Sequence, residues 1–517
     1  MPDSLPRETP VLIIGAGPTG LMLACELALA GVVPTLIDSR LQPTGQSRAL
    51  GFTVRTLEVF EQRGILDRFG DLRTQEAVHF AGLTIPASVL GSTHTPVSQF
   101  PQSKTEAVLT DWALSLGVEI LRGRTATTLV QDHDAATVQV QSADGRSESV
   151  RARYVVGCDG ARSTVRSCVG AQTATTPPSV QMLLADVRDC GLPDNPFGVK
   201  HEAGMVMSAP LGNGVDRIIV CERGAPLLES GRQVEFADVQ RAYQAVVGTP
   251  LGDGECLWAS SFTDAGSIVD SYRHGRVFLV GDSARTHLPA GGQGMNVAIQ
   301  DAVNLGWKLA AAVHGHAPTE LLDTYDRERR RVGQALLENT QAQGQLFLRG
   351  PEVDPLRKIL AGLIQIPEVA RILGRSVSGL DVRYDMGIPD APSIVGRRLP
   401  PAGMQLKGQT SGVLSSLQKA HGVLLASAAT VAHAQEAVVA WSDRVSVLPV
   451  VPEPTDDPDL SGVDALLVRP DGYVAWASPG AGTLESALRR WFGDPNTPMR
   501  KEQSDGQHPD RRSVVTT

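Results

Sequence analysis

The segment that most limits the folds open to this chain is short. Val11, Leu12, Ile13 and Ile14 form an unbroken apolar run that leads directly into Gly15-Ala16-Gly17-Pro18-Thr19-Gly20. Such a run is expected of a strand buried on both faces, as in a parallel sheet. A helical pattern follows over 21–30, then a second apolar strand over 34–37 that ends on Asp38, with Ser39 and Arg40 next. The three glycines have separate jobs. Gly15 permits the tight turn, Gly17 lets the backbone approach a diphosphate, and Gly20 lets helix and strand pack closely. Asp38 is placed to accept from a ribose hydroxyl. A glycine motif alone is weak, but strand, turn, helix, second strand and terminal acid together predict an α/β unit that binds a dinucleotide.

Two later elements repeat the strand-then-acid theme. Residues 154–156 are apolar and lead to Cys158-Asp159-Gly160, with a short helix expected over 163–169. Alone, Asp159-Gly160 is an ordinary turn dipeptide. Residues 277–280 form another apolar strand and enter Gly281-Asp282. Pro289, Gly292, Gly294, Met295 and Asn296 follow, and a helix is expected to about 313. A short acid after a strand suits a ribose or ribityl hydroxyl. A glycine-dense helix start offers bare N–H groups and a positive dipole end to an anion. Between these elements, 45–51 reads as a loop carrying Arg48 back toward the ligand, with a solvated arginine as an equal reading. The stretch 99–106, which contains Gln102, opens a helix to about 117, capped by Ser103 or Thr105. Gln102 fits a ligand contact and a surface glutamine equally well.

A chain of 517 residues exceeds one hydrophobic core, so roughly two to four domains are expected. Alternating segments at 182–187, 204–209, 217–221 and 257–262 predict an antiparallel sheet. A helix is expected over 321–341, and its Arg327, Arg329, Arg330 and Arg331 read as a solvated, acid-paired face. Prolines become dense over 389–401, which reads as a linker. Beyond it, strands at 422–426, 445–451, 464–468 and 473–476 and a helix at 484–492 predict a small α/β unit. Residues 500–517 are polar and read as a disordered tail.

A net charge of −9 argues against nucleic acid as a partner. No apolar span reaches the roughly 20 residues of a membrane helix, and the N-terminus reads as strand-turn-helix rather than a signal peptide. The six cysteines form no CxxC and suit neither a metal site nor a disulfide framework, so a cytoplasmic setting is expected.

The three glycine-acid elements, in this order and spacing over about residues 8–345, resemble the class A flavoprotein aromatic monooxygenases, whose fold is like that of p-hydroxybenzoate hydroxylase. The remainder resembles the thioredoxin-like, CxxC-free domain of bacterial aromatic polyketide hydroxylases. The resemblance implies an α/β fold: a Rossmann-like FAD-binding domain, an antiparallel β-sheet substrate domain and a C-terminal thioredoxin-like domain. The boundaries would be 1–178 and 271–390 for the FAD-binding part, 179–270 for the sheet and 391–499 for the last domain. It also implies tightly bound FAD, with NAD(P)H and O₂ as co-substrates, oxygen transfer through a flavin hydroperoxide, and a small aromatic polyketide as substrate. No second strand-GxGxxG-helix is present for a resident nicotinamide. By matching position, Gly15, Gly17, Pro18, Thr19, Gly20, Asp38, Ser39 and Arg40 would hold the adenosine-diphosphate half. Asp159 and Gly160 belong to the motif linked to both FAD and the pyridine nucleotide, Asp282 would bind the ribityl chain, and Gly281, Gly294, Met295 and Asn296 would serve the rest of the cofactor, with Arg48 and Gln102 on the flavin side. Arg48, Pro289 and Gly292 would stand in the catalytic centre. Arg285 occupies a position that is histidine in many relatives, close to where the chemistry is expected, with His287 nearby as a loop histidine.

Hydroxylation in antibiotic biosynthesis is the leading expectation. Baeyer–Villiger insertion, ring rearrangement, phenol degradation and antibiotic inactivation stay open on the same scaffold. So do a reductase and a non-catalytic flavin-bound assembly partner. A halogenase is disfavoured by the absence of Trp-x-Trp-x-Ile-Pro. A homodimer is also open.

Overall fold

The computed structural model describes residues 5–97, 100–229, 231–408, 412–455, 457–480 and 482–495. The expected tail at 500–517 lies outside the described residues.

The largest sheet is built on five parallel strands. In spatial order they are Val277–Leu279, Ser147–Gly157, Glu8–Ile14, Thr35–Asp38 and Glu119–Arg122. Their registers bring Ile14 and Leu279 both opposite Gly157, and Ile14 opposite Ile37. The glycine-acid elements therefore leave the sheet along one edge, at the carboxyl ends of the strands. Open α/β sheets bind ligands at that edge. Ser147–Gly157 is 11 residues long, where the sequence suggests a short strand at 154–156. Its first half pairs with Ala136–Ser142 and its end with Val277–Leu279. Only the end is continuously buried, so only the end shows a continuous apolar run.

The helices Pro18–Leu29 and Gln293–His314 pack directly against one another. Gly306 makes the approach possible, since a Cβ there would lie 2.5 Å from the Cβ of Glu26. The helix at 102 starts at Gln102 and is not capped by Ser103 or Thr105. Instead, the Ser103 N–H donates to Ser47 Oγ at 2.9 Å. The cap comes from a loop distant in sequence, which no local pattern reveals.

The second sheet is wholly antiparallel, in the order Asn195–His201, Gly204–Gly212, Val215–Glu222, Gln181–Arg188, Glu255–Thr263. Leu183, Ala185, Val187, Ile218 and Val220 on one face pack against Val239, Ala242 and Val246 of the helix Phe236–Val247. The strand Asn195–His201, which holds a proline and a glycine, lacks the alternation that reveals its neighbours.

A third, five-stranded sheet runs Met404–Leu406, Val445–Pro452, Gly422–Ala426, Ala465–Val468, Val474–Ser478. The second and third of these strands are parallel and the other pairs antiparallel. The strands expected near 422, 445, 464 and 473 and the helix Leu484–Phe492 are all present.

Two expectations are overturned by tertiary contacts, and the helix expected over 321–341 is present but longer. The proline-dense stretch is no free linker, because Ile394, Val395 and Leu399 are buried with Leu424, Leu466 and Trp491. The last long helix runs Asp323–Leu348, and two further helices, Asp354–Leu363 and Pro367–Ser378, follow it. Nor is the arginine run wholly a solvated face. Arg327, Arg330 and Arg331 are exposed, but Arg329 is fully buried. Its Nε donates to Asp301 Oδ1 at 2.5 Å and its Nη1 to the Tyr384 hydroxyl at 2.8 Å. The helical period turns position 329 inward.

Candidate active site

The three glycine-acid elements meet in space. Gly15 has a φ of +108°, and a Cβ on it would lie 2.4 Å from the Cys158 carbonyl oxygen. A Cβ on Gly281, whose φ is +64°, would lie 3.0 Å from Thr19 Oγ1. Ser283 Oγ donates to the Gly157 carbonyl oxygen at 2.5 Å, and Arg166 Nη1 to the Ser283 carbonyl oxygen at 3.1 Å. Residues 15–20, 157–166 and 281–283 thus form one continuous rim.

The rim is open where a ligand would need it to be. A Cβ on Gly17, Gly160 or Gly292 would meet no protein atom within 4 Å. The helices Pro18–Leu29 and Gln293–His314 start at Gly17 and Gly292, and neither has a side-chain cap. Their first N–H groups remain available to an anion. Asp38 closes the second strand with Oδ2 accepting from Ala16 N at 2.7 Å and Oδ1 from Arg40 N at 2.8 Å. Asp159 Oδ2 accepts from Val165 N at 3.1 Å, whereas Oδ1 is buried with no partner. A buried carboxylate oxygen left bare is costly, so this atom fits a polar ligand group. Asp282 and Pro289 are exposed.

A family model described as "FAD binding domain" matches residues 8–340, and one described as "Aromatic-ring hydroxylase, C-terminal" matches 392–495. The chain belongs to the class A flavoprotein aromatic monooxygenases. The 12-dehydrotetracycline 5-monooxygenase/anhydrotetracycline 6-monooxygenase of Streptomyces rimosus is 41% identical over 503 residues, covering 94% of this chain and 99% of that protein. The rifampicin monooxygenase of Streptomyces venezuelae is 40% identical, over 93% and 98% of the two chains. Among solved structures, an aromatic hydroxylase from angucycline biosynthesis superposes with a TM-score of 0.89 at 49% identity, covering 95% of this chain and all of that one. FAD is the cofactor of this family, with NAD(P)H and O₂ as co-substrates. The open glycines, the two uncapped helix starts and the bare Asp159 oxygen fit it.

The 48–53 loop, which carries Arg48, is tied to the helix start at Gly292. Arg48 is exposed on a loop that is pinned from three sides. Arg217 Nη1 donates to its carbonyl oxygen at 3.2 Å, Gln102 N donates to Ala49 O at 3.1 Å, and Asn296 Oδ1 accepts from Thr53 N at 2.9 Å. Asn296 Nδ2 also donates to Gly51 O and Gly292 O, so its side chain is committed to holding the loop and the helix start together. Gln102 Nε2 donates to Glu106. Met295 packs on the main core, Gly294 lies under His287, and Ser39 is exposed.

Arg285 is committed to the protein interior. It is buried, donates to Asp301 Oδ2 at 2.6 Å, and stands beside the Tyr272 hydroxyl. Burial opposes its charge, but Asp301 and Tyr272 outweigh that and push its pKa up. It is one arm of a buried Arg285–Asp301–Arg329 bridge. His287 Nδ1 carries a proton, because its partner at 2.7 Å is the Leu288 carbonyl oxygen.

Strand register identifies a face that sequence reading left unassigned. Met182, Met205, Met207, Ile219 and Phe262 of the antiparallel sheet cluster with Leu288 and Ala290 of the turn before the Gly292 helix start. At one end of this face, Arg217 makes a two-pronged bond to Asp186 at 2.7 and 2.8 Å and lies over the Trp258 ring. The alternating pattern showed that such strands exist, but which side faces Leu288 and Ala290 depends on where the sheet packs.

Proposed function

We propose that this chain is an FAD-dependent monooxygenase that hydroxylates a polycyclic aromatic polyketide in antibiotic or other secondary-metabolite biosynthesis. The observation that carries this reading is the broad, methionine-rich apolar face packed against Leu288 and Ala290. Met side chains adapt to flat, irregular ligands, and Phe262 and Trp258 add aromatic area. FAD, when bound, would accept hydride from NAD(P)H and activate O₂. The chain's own residues bind, orient and exclude water. Gly15, Gly17, Gly20 and Asp38, with Pro18, Thr19, Ser39 and Arg40 beside them, would take the adenosine-diphosphate half. Asp282, with Gly281 beside it, would take the ribityl chain, and Asp159 and Gly160 would serve both FAD and the pyridine nucleotide. The N–H groups from Gly292 to Asn296 would stabilise negative charge on the flavin's pyrimidine edge. Arg48 and Pro289 would flank the ring, with Gln102 at the loop base.

This reading includes the finer architecture: a Rossmann-like FAD domain from 1–178 and 271–390, a substrate sheet from 179–270 and a thioredoxin-like domain from 391–499. The parallel sheet order and the helix-linked parallel pair Gly422–Ala426 and Val445–Pro452 support it. It also includes a cytoplasmic location, in keeping with six free cysteines, and a homodimer, which light scattering would check. Among the described residues no helix is long and apolar enough to cross a membrane, and no cluster of ligating side chains suits a metal.

The deciding experiment is mass spectrometry of products formed from anhydrotetracycline and a panel of polyketide quinones with NADPH under ¹⁸O₂. A product carrying one ¹⁸O atom on a ring carbon is expected. Ring insertion would shift the reading to Baeyer–Villiger chemistry, and NADPH consumption with no labelled product would sink the monooxygenase reading. Asp282→Ala is expected to weaken FAD retention about tenfold, as loss of a charge-assisted hydrogen bond does. Unchanged flavin content after dialysis would remove Asp282 from the site.

A further inference from the structure

The β-hairpin Ala77–Phe80 and Leu83–Pro86 lies beside the flavin-side turn, its first strand touching Ala290–Gly292. Alternation along that strand divides its side chains. Phe80 and Val78 pack into a core with Ile85, Ala370 and Val377. His79 points the other way and lies against Phe197 of the antiparallel sheet, with ring centroids 4.9 Å apart and planes 36° apart. Phe347 closes the same corner. It packs with Met182, Met205 and Leu288, and a Cβ on Gly198 would come within 2.9 Å of it. His79 therefore stands where the hairpin meets the methionine-rich face.

The protonation of His79 follows from its one hydrogen bond. The Gly82 backbone N–H donates to Nδ1 at 3.1 Å. A backbone N–H can only donate, so Nδ1 holds its lone pair and the proton of the neutral ring sits on Nε2. Burial, reinforced by the Arg357 guanidinium, lowers its pKa to about 4. Arg357 is itself held by the Ala81 carbonyl oxygen. The ring is therefore neutral in the working range of a cytoplasmic enzyme. Among the described residues no group hydrogen-bonds to Nε2. A half-buried N–H donor of fixed tautomer beside an aromatic ring suits a planar ligand with an acceptor oxygen on its edge.

We infer that His79 is a substrate-recognition residue, with Nε2–H donating to a carbonyl or phenol oxygen of a polycyclic ring system that packs beside Phe197. This rests on the reading of the methionine-rich face as the aromatic substrate site. The test uses FAD-loaded enzyme titrated with anhydrotetracycline and, separately, 1-hydroxyanthraquinone, followed by perturbation of the flavin spectrum. His79→Asn keeps an acceptor near Gly82 N–H but loses the distal donor. His79→Gln restores a donor near the Nε2 position. The Asn variant is expected to raise Kd, and KM with any probe that turns over, about tenfold with little change in kcat, while the Gln variant stays within about threefold of the parent. Both are expected to keep parental flavin content and melting temperature. If the Asn variant binds the probes as tightly as the parent, or if both variants weaken equally, His79 does not recognise substrate through Nε2. If the parent enzyme binds neither probe, the aromatic-polyketide reading falls, and the role of His79 with it.

Discussion

Gly20→Ala is expected to strip the purified protein of flavin and to lower its stability by about 3 kcal/mol. A Cβ at this position would lie 1.9 Å from the Gly15 carbonyl oxygen and 3.3 Å from the Cys158 Cβ. The nearer obstacle is backbone, so no rotamer change relieves the clash. The turn itself must move, although Gly15 N is bonded to Ile37 O at 2.8 Å and Gly15 requires a positive φ. Alanine improves helix propensity by at most about 1 kcal/mol, which does not offset the clash. Gly17→Ala is the informative contrast. Its backbone is extended, and its Cβ would meet no protein atom within 4 Å. Stability should stay within about 0.5 kcal/mol of the parent, as for substitutions without a steric conflict. FAD affinity should nevertheless fall, because the methyl occupies the space proposed for the diphosphate. Flavin absorbance per protein and the melting temperature separate the two effects. A Gly20→Ala protein as yellow and as stable as the parent would refute the packing argument.

Arg469→Ala is expected to cost about 3–5 kcal/mol, the range for removing one partner of a buried ionic network. Arg469 is fully buried, and its Nη1 and Nη2 donate to Glu328 at 2.6 and 2.9 Å. It also pairs with Asp471, and its guanidinium lies 4.5 Å from the Trp491 ring centroid. Burial would push the Glu328 carboxyl up, but Arg469 and Lys308 outweigh it and hold its pKa down to about 2. Without Arg469, Glu328 keeps Lys308 at 2.8 Å, while Asp471 loses its bonds from the guanidinium. Exposed pairs such as Arg489–Glu485 are worth at most about 1 kcal/mol and offer a control on the same sheet's helix. Urea unfolding of Arg469→Ala beside Arg489→Ala tests the contrast. Equal midpoints in the two variants would show that the buried network carries no special stability.

This network also explains how the 391–495 region is joined to the rest. Glu328 and Lys308 lie on the two long helices, whereas Arg469 and Asp471 lie on the turn between Ala465–Val468 and Val474–Ser478. Arg63 bridges the same boundary, binding Glu26 at 2.6 and 2.8 Å and the carbonyl oxygens of Leu417 and Pro470. These contacts, with buried Ile394 and Leu399, leave no room for a free hinge at 389–401. Proline density signalled a break in regular structure there, correctly, but not whether the break was exposed.

Local periodicity made much of the fold readable. The strand at Val11 to Ile14, the fingerprint helix and the hairpin around Asp471 each follow from neighbouring residues, because strand and helix periods are local. Asn195–His201 escaped notice because a proline and a glycine interrupt it. Arg329 was misplaced because a charged side chain reads as exposed until its buried partner, Asp301, is known.

By itself, the sequence determined the dinucleotide fingerprint, the presence of three glycine-acid elements and the lack of any dithiol in the last region. All are fixed by short runs of covalent neighbours. Tertiary structure alone decided that Gly15, Asp159 and Gly281 share one rim, because parallel pairing across Gly157 joins strands more than 120 residues apart. It also decided that Arg285 supports the fold from within, and that Met182, Met205, Met207, Ile219 and Phe262 of the antiparallel sheet face Leu288 and Ala290. Those outcomes depend on partners distant in the chain, and a one-residue shift of strand register would have turned every one of those side chains to the opposite face.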